Sequence, residues 1–220
     1  DEIAEICKNN NRILMVDAMS SYGGIPVDFG KNKIAFLVSS SNKCIQGVPG
    51  FSFVICKKEA IKKCKGTSHS LSLDLYDQWA VLEKDGGKWR YTSPTHVVRA
   101  FYQALEDLED EGGIVQRHKR YTENQRILVE GMEKLGFKCL IPKSAQSPVI
   151  TTFHNPESEK FSFTDFYNFL KKEGFVIYPG SISDMDIFRI GNIGDVVKDD
   201  MEKLLKSIEK YTREVLGWKN

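Results

Sequence analysis

No stretch of the chain is long and apolar enough to cross a bilayer: its longest unbroken apolar run, residues 34–38, falls far short of the ~20 residues a spanning helix needs. No charged-then-apolar leader opens it either. An excess of one charge is also missing, since 31 basic against 30 acidic side chains leave +1. That balance argues against purely electrostatic capture of nucleic acid. Lys57, Lys58, Lys62, Lys63 and Lys65 form one local cluster, broken by Glu59, which reads as a solvated helix face rather than an anion-steering patch. Cysteine is sparse and unpatterned: Cys7, Cys44, Cys56, Cys64 and Cys139 are odd in number and contain no C-x-x-C pair. An oxidised framework or structural zinc is thereby disfavoured, and a reducing cytoplasm fits better. The four histidines, at 69, 96, 118 and 154, are too scattered to suggest a metal site. Internal repeats and low-complexity tracts are absent too.

What is present is the composition of a globular protein of one or two domains, with 41% apolar and 28% charged residues, enough for a sizeable core. Residues 12–17 (RILMVD), 33–39 (KIAFLVS) and 51–56 (FSFVIC) are near-continuous apolar segments of strand length, the pattern of strands buried on both faces of an α/β sheet. Ser93-Pro94 predicts a helix start, and Val97, Val98, Phe101, Ala104, Leu105 and Leu108 continue it until Gly112-Gly113. A second helix is expected over 115–135 and stops at Gly136. Beyond it the texture becomes α+β, with short strands near 137–141, 148–153, 175–178 and 186–190 and a helix near 164–173. A closing helix over 198–216 places Met201, Leu204, Leu205, Ile208 and Val215 on one face. These readings divide the chain at 114/115. Its first residues, DEIAEIC, read as already lying within an amphipathic helix, as in a piece of something longer.

Four places carry candidate chemistry. Asp17 ends the first strand and leads into a polar, Gly-rich loop, which is where open α/β sheets bind ligands. A carboxylate dehydrated there needs a partner; alternatively, Asp17 caps the next turn. Ser39, Ser40 and Ser41 lead into Lys43 after the second strand, which suggests an anion site beside a nucleophilic amine, or else a solvated surface loop. Thr92 and Ser93 precede a helix N-terminus, which can hold a phosphate or simply be capped. Arg189 lies between Phe188 and Ile190, so alternation turns it to the opposite face, towards a carboxylate or a structural salt bridge.

Together these are the parts of a pyridoxal-phosphate site. The stretches VDAMSSYGGIPVDF, SSSNKCIQGVPGFSFVI, SLSLDLYDQW, GKWRYTSPTHVVRAFYQAL, GFVIYPG and FRIGNIG make the resemblance specific. The sequence resembles the 2-aminoethylphosphonate–pyruvate aminotransferases, in the class V branch of the fold-type I aminotransferases. The 26-residue step from Asp17 to Lys43 agrees with it.

The resemblance implies a mixed, mostly parallel large-domain sheet in 1–114 and a small α+β domain in 115–220. It implies that Lys43 carries pyridoxal phosphate and shuttles a proton, while Asp17 pairs with the pyridine nitrogen. Met19 would pack on the ring, and Ser41 and Thr92 would hold the phosphate, Thr92 in the site of a second subunit of a homodimer. Arg189 would grip pyruvate, alanine or the phosphonate. The implied reaction moves the amino group of 2-aminoethylphosphonate to pyruvate, giving phosphonoacetaldehyde and L-alanine, in the cytoplasm. A serine- or alanine–glyoxylate aminotransferase of the same class is the alternative. Two departures stand out. His69 occupies a position where many relatives carry arginine, and the family's opening strands, phosphate loop and ring-stacking aromatic have no counterpart here. An incomplete cofactor site, without activity, is therefore a further expectation for these 220 residues alone.

Overall fold

The computed structural model describes residues 1–180 and 186–218. They form two compact units, Asp1–Asp110 and Glu111–Asn220. No helix among the described residues is long and apolar enough to cross a membrane.

The first unit opens with helix α1 (Glu2–Asn9), followed by strands β1 (Met15–Asp17), β2 (Phe36–Ser40) and β3 (Ser52–Cys56). Helices α2 (Lys58–Lys62), α3 (Leu75–Lys84) and α4 (Thr95–Asp110) follow. The sheet is mixed, in the order β1-β2-β3. β1 runs parallel to β2, with Met15 opposite Phe36 and Asp17 opposite Val38, while β3 runs antiparallel to β2. Successive residues of a strand point to opposite faces, and both faces of β2 are covered. Leu37 packs with Ala18 and Ile34 on one side, and Phe36 with Ala35 and Ile61 on the other. β1 departs from the expectation of a strand buried on both faces: Met15 is 66% exposed. The cause is its position, because no strand pairs with its other edge among the described residues.

The lysine cluster follows its bland reading. Lys57, Lys58, Lys62, Lys63 and Lys65 are exposed along α2 and its flanks, and Lys58 pairs with Glu83 at 3.0 Å. α3 begins at Asp74, whose side chain accepts the Asp77 amide at 3.0 Å. α4 starts one residue after the proline, and the Val98 amide donates to the Pro94 carbonyl.

In the second unit, helix α5 (Gly113–Lys134) precedes strand β4 (Ile150–His154), helix α6 (Phe163–Lys172), strands β5 (Tyr178–Pro179) and β6 (Ile187–Gly191), and helix α7 (Lys198–Tyr211). The sheet is antiparallel, in the order β4-β6-β5. Its apolar face is aromatic. Phe188 lies 5.5 Å from Phe153 and 5.4 Å from Phe166, and Leu128, Met132, Met201, Leu204 and Ile208 join the same core.

Two expectations fail here. Among the described residues, 137–141 make a single bridge, Cys139 to Phe153, flanked by hydrogen bonds from Leu140 to Thr152 and from His154 to Lys138, and Pro142 has no N–H to extend the ladder beyond it. The closing helix is not uniform to 216 either. A π-turn over Thr212–Leu216 winds more residues into its turn and so delays the phase, and Leu216 is buried while Val215 is 38% exposed.

Phe188 touches much of this core, so Phe188→Ala should lower the unfolding free energy by about 3–5 kcal/mol in chemical denaturation, whereas a loss under about 1 kcal/mol would contradict the described core.

Candidate active site

Asp17 and Lys43 lie at the carboxyl ends of the parallel pair. Asp17 is the last residue of β1, and the next amide, of Ala18, donates to the Val38 carbonyl at 2.8 Å. One Asp17 carboxylate oxygen accepts the Met19 amide at 2.9 Å, so Asp17 does cap its turn. β2 ends alongside. The Ser39 hydroxyl donates to the Ala18 carbonyl at 3.1 Å, and the Cys44 thiol reaches the Ser20 carbonyl at 3.2 Å. Gly23, at φ +90°, lies so close to Ile45 that an added Cβ would sit 2.5 Å from its side chain. The loop after Asp17 and the loop carrying Lys43 therefore interlock, and they bring a carboxylate and an amine to neighbouring strand ends.

Both side chains are exposed. The expected dehydration of Asp17 and Lys43 is thus not supplied by the described residues, since β1 is an outer strand and Lys43 follows a tight turn. That turn is built with care. The Gln46 amide donates to the Lys43 carbonyl at 2.9 Å and the Gly47 amide to the Ser41 carbonyl at 2.8 Å. A Cβ at Gly47 would stand 2.7 Å from the Ser41 carbonyl oxygen, which only glycine avoids.

Ser41 is fully buried and donates its hydroxyl to the Val48 carbonyl at 2.6 Å. A hydroxyl engaged in this way shapes the Lys43 turn and has no proton left for a phosphate. Met19 is half-buried beside Asp17. Thr92 is exposed ahead of α4, and no hydrogen bond joins it to the Asp17 or Lys43 loops among the described residues. An aromatic series does link the regions, running from Tyr22 to Phe53 (5.6 Å), Phe101 (5.4 Å), Phe51 (5.2 Å) and Trp89 (6.2 Å). Sequence periodicity does not reveal that series, because its members come from four separate segments. His69 is exposed, and Arg90 nearby in sequence pairs with Asp77 at 3.2 Å.

Arg189 belongs to the second unit. Phe188 and Ile190 are buried in the core, and Arg189 projects from the opposite face as alternation predicts. It makes no ion pair among the described residues. One Nη donates to the Pro179 carbonyl at 3.2 Å, and its buried Nε has no partner. The salt-bridge alternative therefore lacks a partner among those residues.

Sequence reading misses the polar clamp on the loop that follows β6. Arg120 donates to the carbonyls of Gly194 (2.9 Å) and Val196 (2.8 Å), and Asn124 also reaches Val196 (2.8 Å). Asn192 donates to the carbonyls of Tyr121 (3.1 Å) and Pro148 (2.8 Å). Glu111 holds the clamp together, bound by the buried Arg117 at 2.7 Å and by Arg120 at 2.8 Å. Burial alone would raise the Glu111 carboxyl, but hydrogen bonds from Arg120 and Arg117 outweigh it and keep it below the ordinary glutamate value. A lowered folded-state value stabilises above the unfolded one and is lost as pH falls through the folded one. Glu111→Gln should thus lower the unfolding midpoint at neutral pH, and its gap from wild type should close as pH drops well below about 4.3. A gap that persists undiminished in acid would contradict the clamp.

The chain matches the family model for class-V aminotransferases over residues 1–198. It is 55% identical over 208 residues to the 2-aminoethylphosphonate–pyruvate transaminase of Vibrio cholerae, covering 94% of this chain and 57% of that protein. It is 58% identical over 210 residues to the bifunctional phosphonoacetaldehyde hydrolase/aminoethylphosphonate transaminase of Clostridioides difficile, covering 96% of this chain and 33% of that one. Among solved structures, the alanine–glyoxylate aminotransferase of Nostoc sp. superposes with a TM-score of 0.84 at 21% identity, over 97% of this chain and 57% of that chain. That likeness shows the fold of fold-type I aminotransferases. The chain therefore spans little more than half the length of the Vibrio cholerae relative. On this match, which runs from the first residue to the start of α7, the chain belongs to the class-V aminotransferase family.

Proposed function

We propose that the whole protein is a pyridoxal-phosphate-dependent transaminase that moves the amino group of 2-aminoethylphosphonate to pyruvate, yielding phosphonoacetaldehyde and L-alanine. The observation that carries this reading is the pairing of Asp17 and Lys43 on interlocked loops at adjacent parallel strand ends. The donor set fits the cofactor: a carboxylate for a ring nitrogen and an amine with no partner among the described residues for an aldehyde carbon. The substrate follows from the 55% and 58% identical relatives, whose names carry aminoethylphosphonate transamination.

When bound, pyridoxal phosphate supplies an electron-withdrawing ring that makes the carbon next to the amino group acidic. Lys43 Nζ would move the proton at that carbon. Asp17 would keep the proton on the ring nitrogen, with its orientation fixed by the Met19 amide. Met19 would shield one ring face. Ser41 would act through the Lys43 turn, and Thr92 would donate to the phosphate of a second subunit in a homodimer. Arg189 would bind the anionic end of each substrate, its planar fork matching a carboxylate bidentately. The reaction would take place in the cytoplasm.

Lys43→Ala in the whole protein should cost roughly a thousandfold or more in transamination, because it removes the group that moves the proton. Turnover within tenfold of wild type would overturn the assignment of Lys43. Faster wild-type turnover with serine or alanine and glyoxylate than with 2-aminoethylphosphonate and pyruvate would overturn the substrate.

A further inference from the structure

Arg189 has hydroxyl-bearing neighbours on both sides. In the register of the second sheet it stands directly opposite Thr152 on β4 and Tyr178 on β5. Directly opposed residues of an antiparallel pair project from the same face, with Cβ atoms about 5 Å apart. The row Thr152–Arg189–Tyr178 therefore crosses the face opposite the aromatic core. Thr152 is half-buried, and Tyr178 is 55% exposed. Neither hydroxyl has a hydrogen-bond partner among the described residues, and the Arg189 Nε is buried without one. The buried Arg189 Nε is the exception here, since buried polar groups are normally satisfied, and the two hydroxyls beside it are open to solvent or to a ligand.

The two anions of the proposed reaction differ in shape. A carboxylate is planar, and two parallel N–H donors of a guanidinium satisfy both of its oxygens. A phosphonate is tetrahedral, so when two oxygens lie on the fork the third points out of the guanidinium plane. It then needs a donor from the side, which a threonine or tyrosine hydroxyl provides. We propose that Thr152 and Tyr178 complete Arg189 into a receptor for a tetrahedral oxyanion, donating to the phosphonate oxygen that the fork does not reach and contributing little to a carboxylate. This rests on the transaminase reading above and assigns its selectivity to two residues beside Arg189.

The test compares the whole wild-type protein, loaded with pyridoxal phosphate, with Thr152→Val, Thr152→Ser and Tyr178→Phe, following the half-reaction in which 2-aminoethylphosphonate or alanine gives up its amino group to the cofactor. Loss of a hydrogen bond to a charged group should lower kcat/KM for the phosphonate about tenfold in the Val and Phe variants, mainly through KM, with alanine changed less than about twofold. Thr152→Ser keeps the hydroxyl and should stay near wild type. Inhibition should follow suit, with methylphosphonate weakened and acetate unchanged. Equal losses for both donors, or none for the phosphonate, would overturn the receptor. Failure of the wild type to accept 2-aminoethylphosphonate, while still using alanine, would overturn the activity on which it rests.

Discussion

The parallel pairing of β1 with β2 fixes the geometry on which everything else in the first unit depends. Parallel strands finish at the same edge of a sheet, so Asp17 and the Ser39–Lys43 turn emerge side by side although 26 residues separate carboxylate from amine. An antiparallel pair would have sent them to opposite edges. Three contacts then lock the two exits: Ser39 to Ala18, Cys44 to Ser20, and the close approach of Gly23 to Ile45. Groups held by rigid strand ends and interlocked turns keep a fixed orientation, which the proposed proton transfer by Lys43 would need.

The second unit solves a different problem with the same economy of alternation. Phe188 and Ile190 build the core, and Arg189 between them faces the other side of the sheet, as an anion-binding role would require. The clamp from Glu111, Arg117 and Arg120 does not touch that face. It satisfies the carbonyls of the loop that follows β6, which would otherwise be unpaired close to the core.

Much of this was legible in the residues. The apolar run through 34–38 announced a strand covered on both sides, and β2 is one, with Phe36 and Leu37 in separate clusters. The period of two around Arg189 gave its direction, and glycines at 112, 136 and 174, all at positive φ, marked the helix limits. What stayed hidden depends on neighbours distant in sequence. The exposure of β1 follows from the absence, among the described residues, of a strand on its other edge, which its own apolar residues do not encode. The family resemblance implied Ser41 as a phosphate donor; only the fold reveals the Val48 carbonyl that takes its hydroxyl. α3 carries a stripe of Leu75, Trp79 and Leu82 yet buries none of them fully, and the π-turn after Tyr211 shifts a phase that regular periodicity assumes.

The central claim is that Lys43 is the amine poised against a bound aldehyde at these strand ends. The direct measurement is borohydride reduction of the whole protein with pyridoxal phosphate, followed by peptide mass spectrometry. The account predicts a single reduced adduct, on Lys43, and its disappearance in Lys43→Ala. Labelling spread over the exposed lysines of α2, or unchanged in Lys43→Ala, would contradict it.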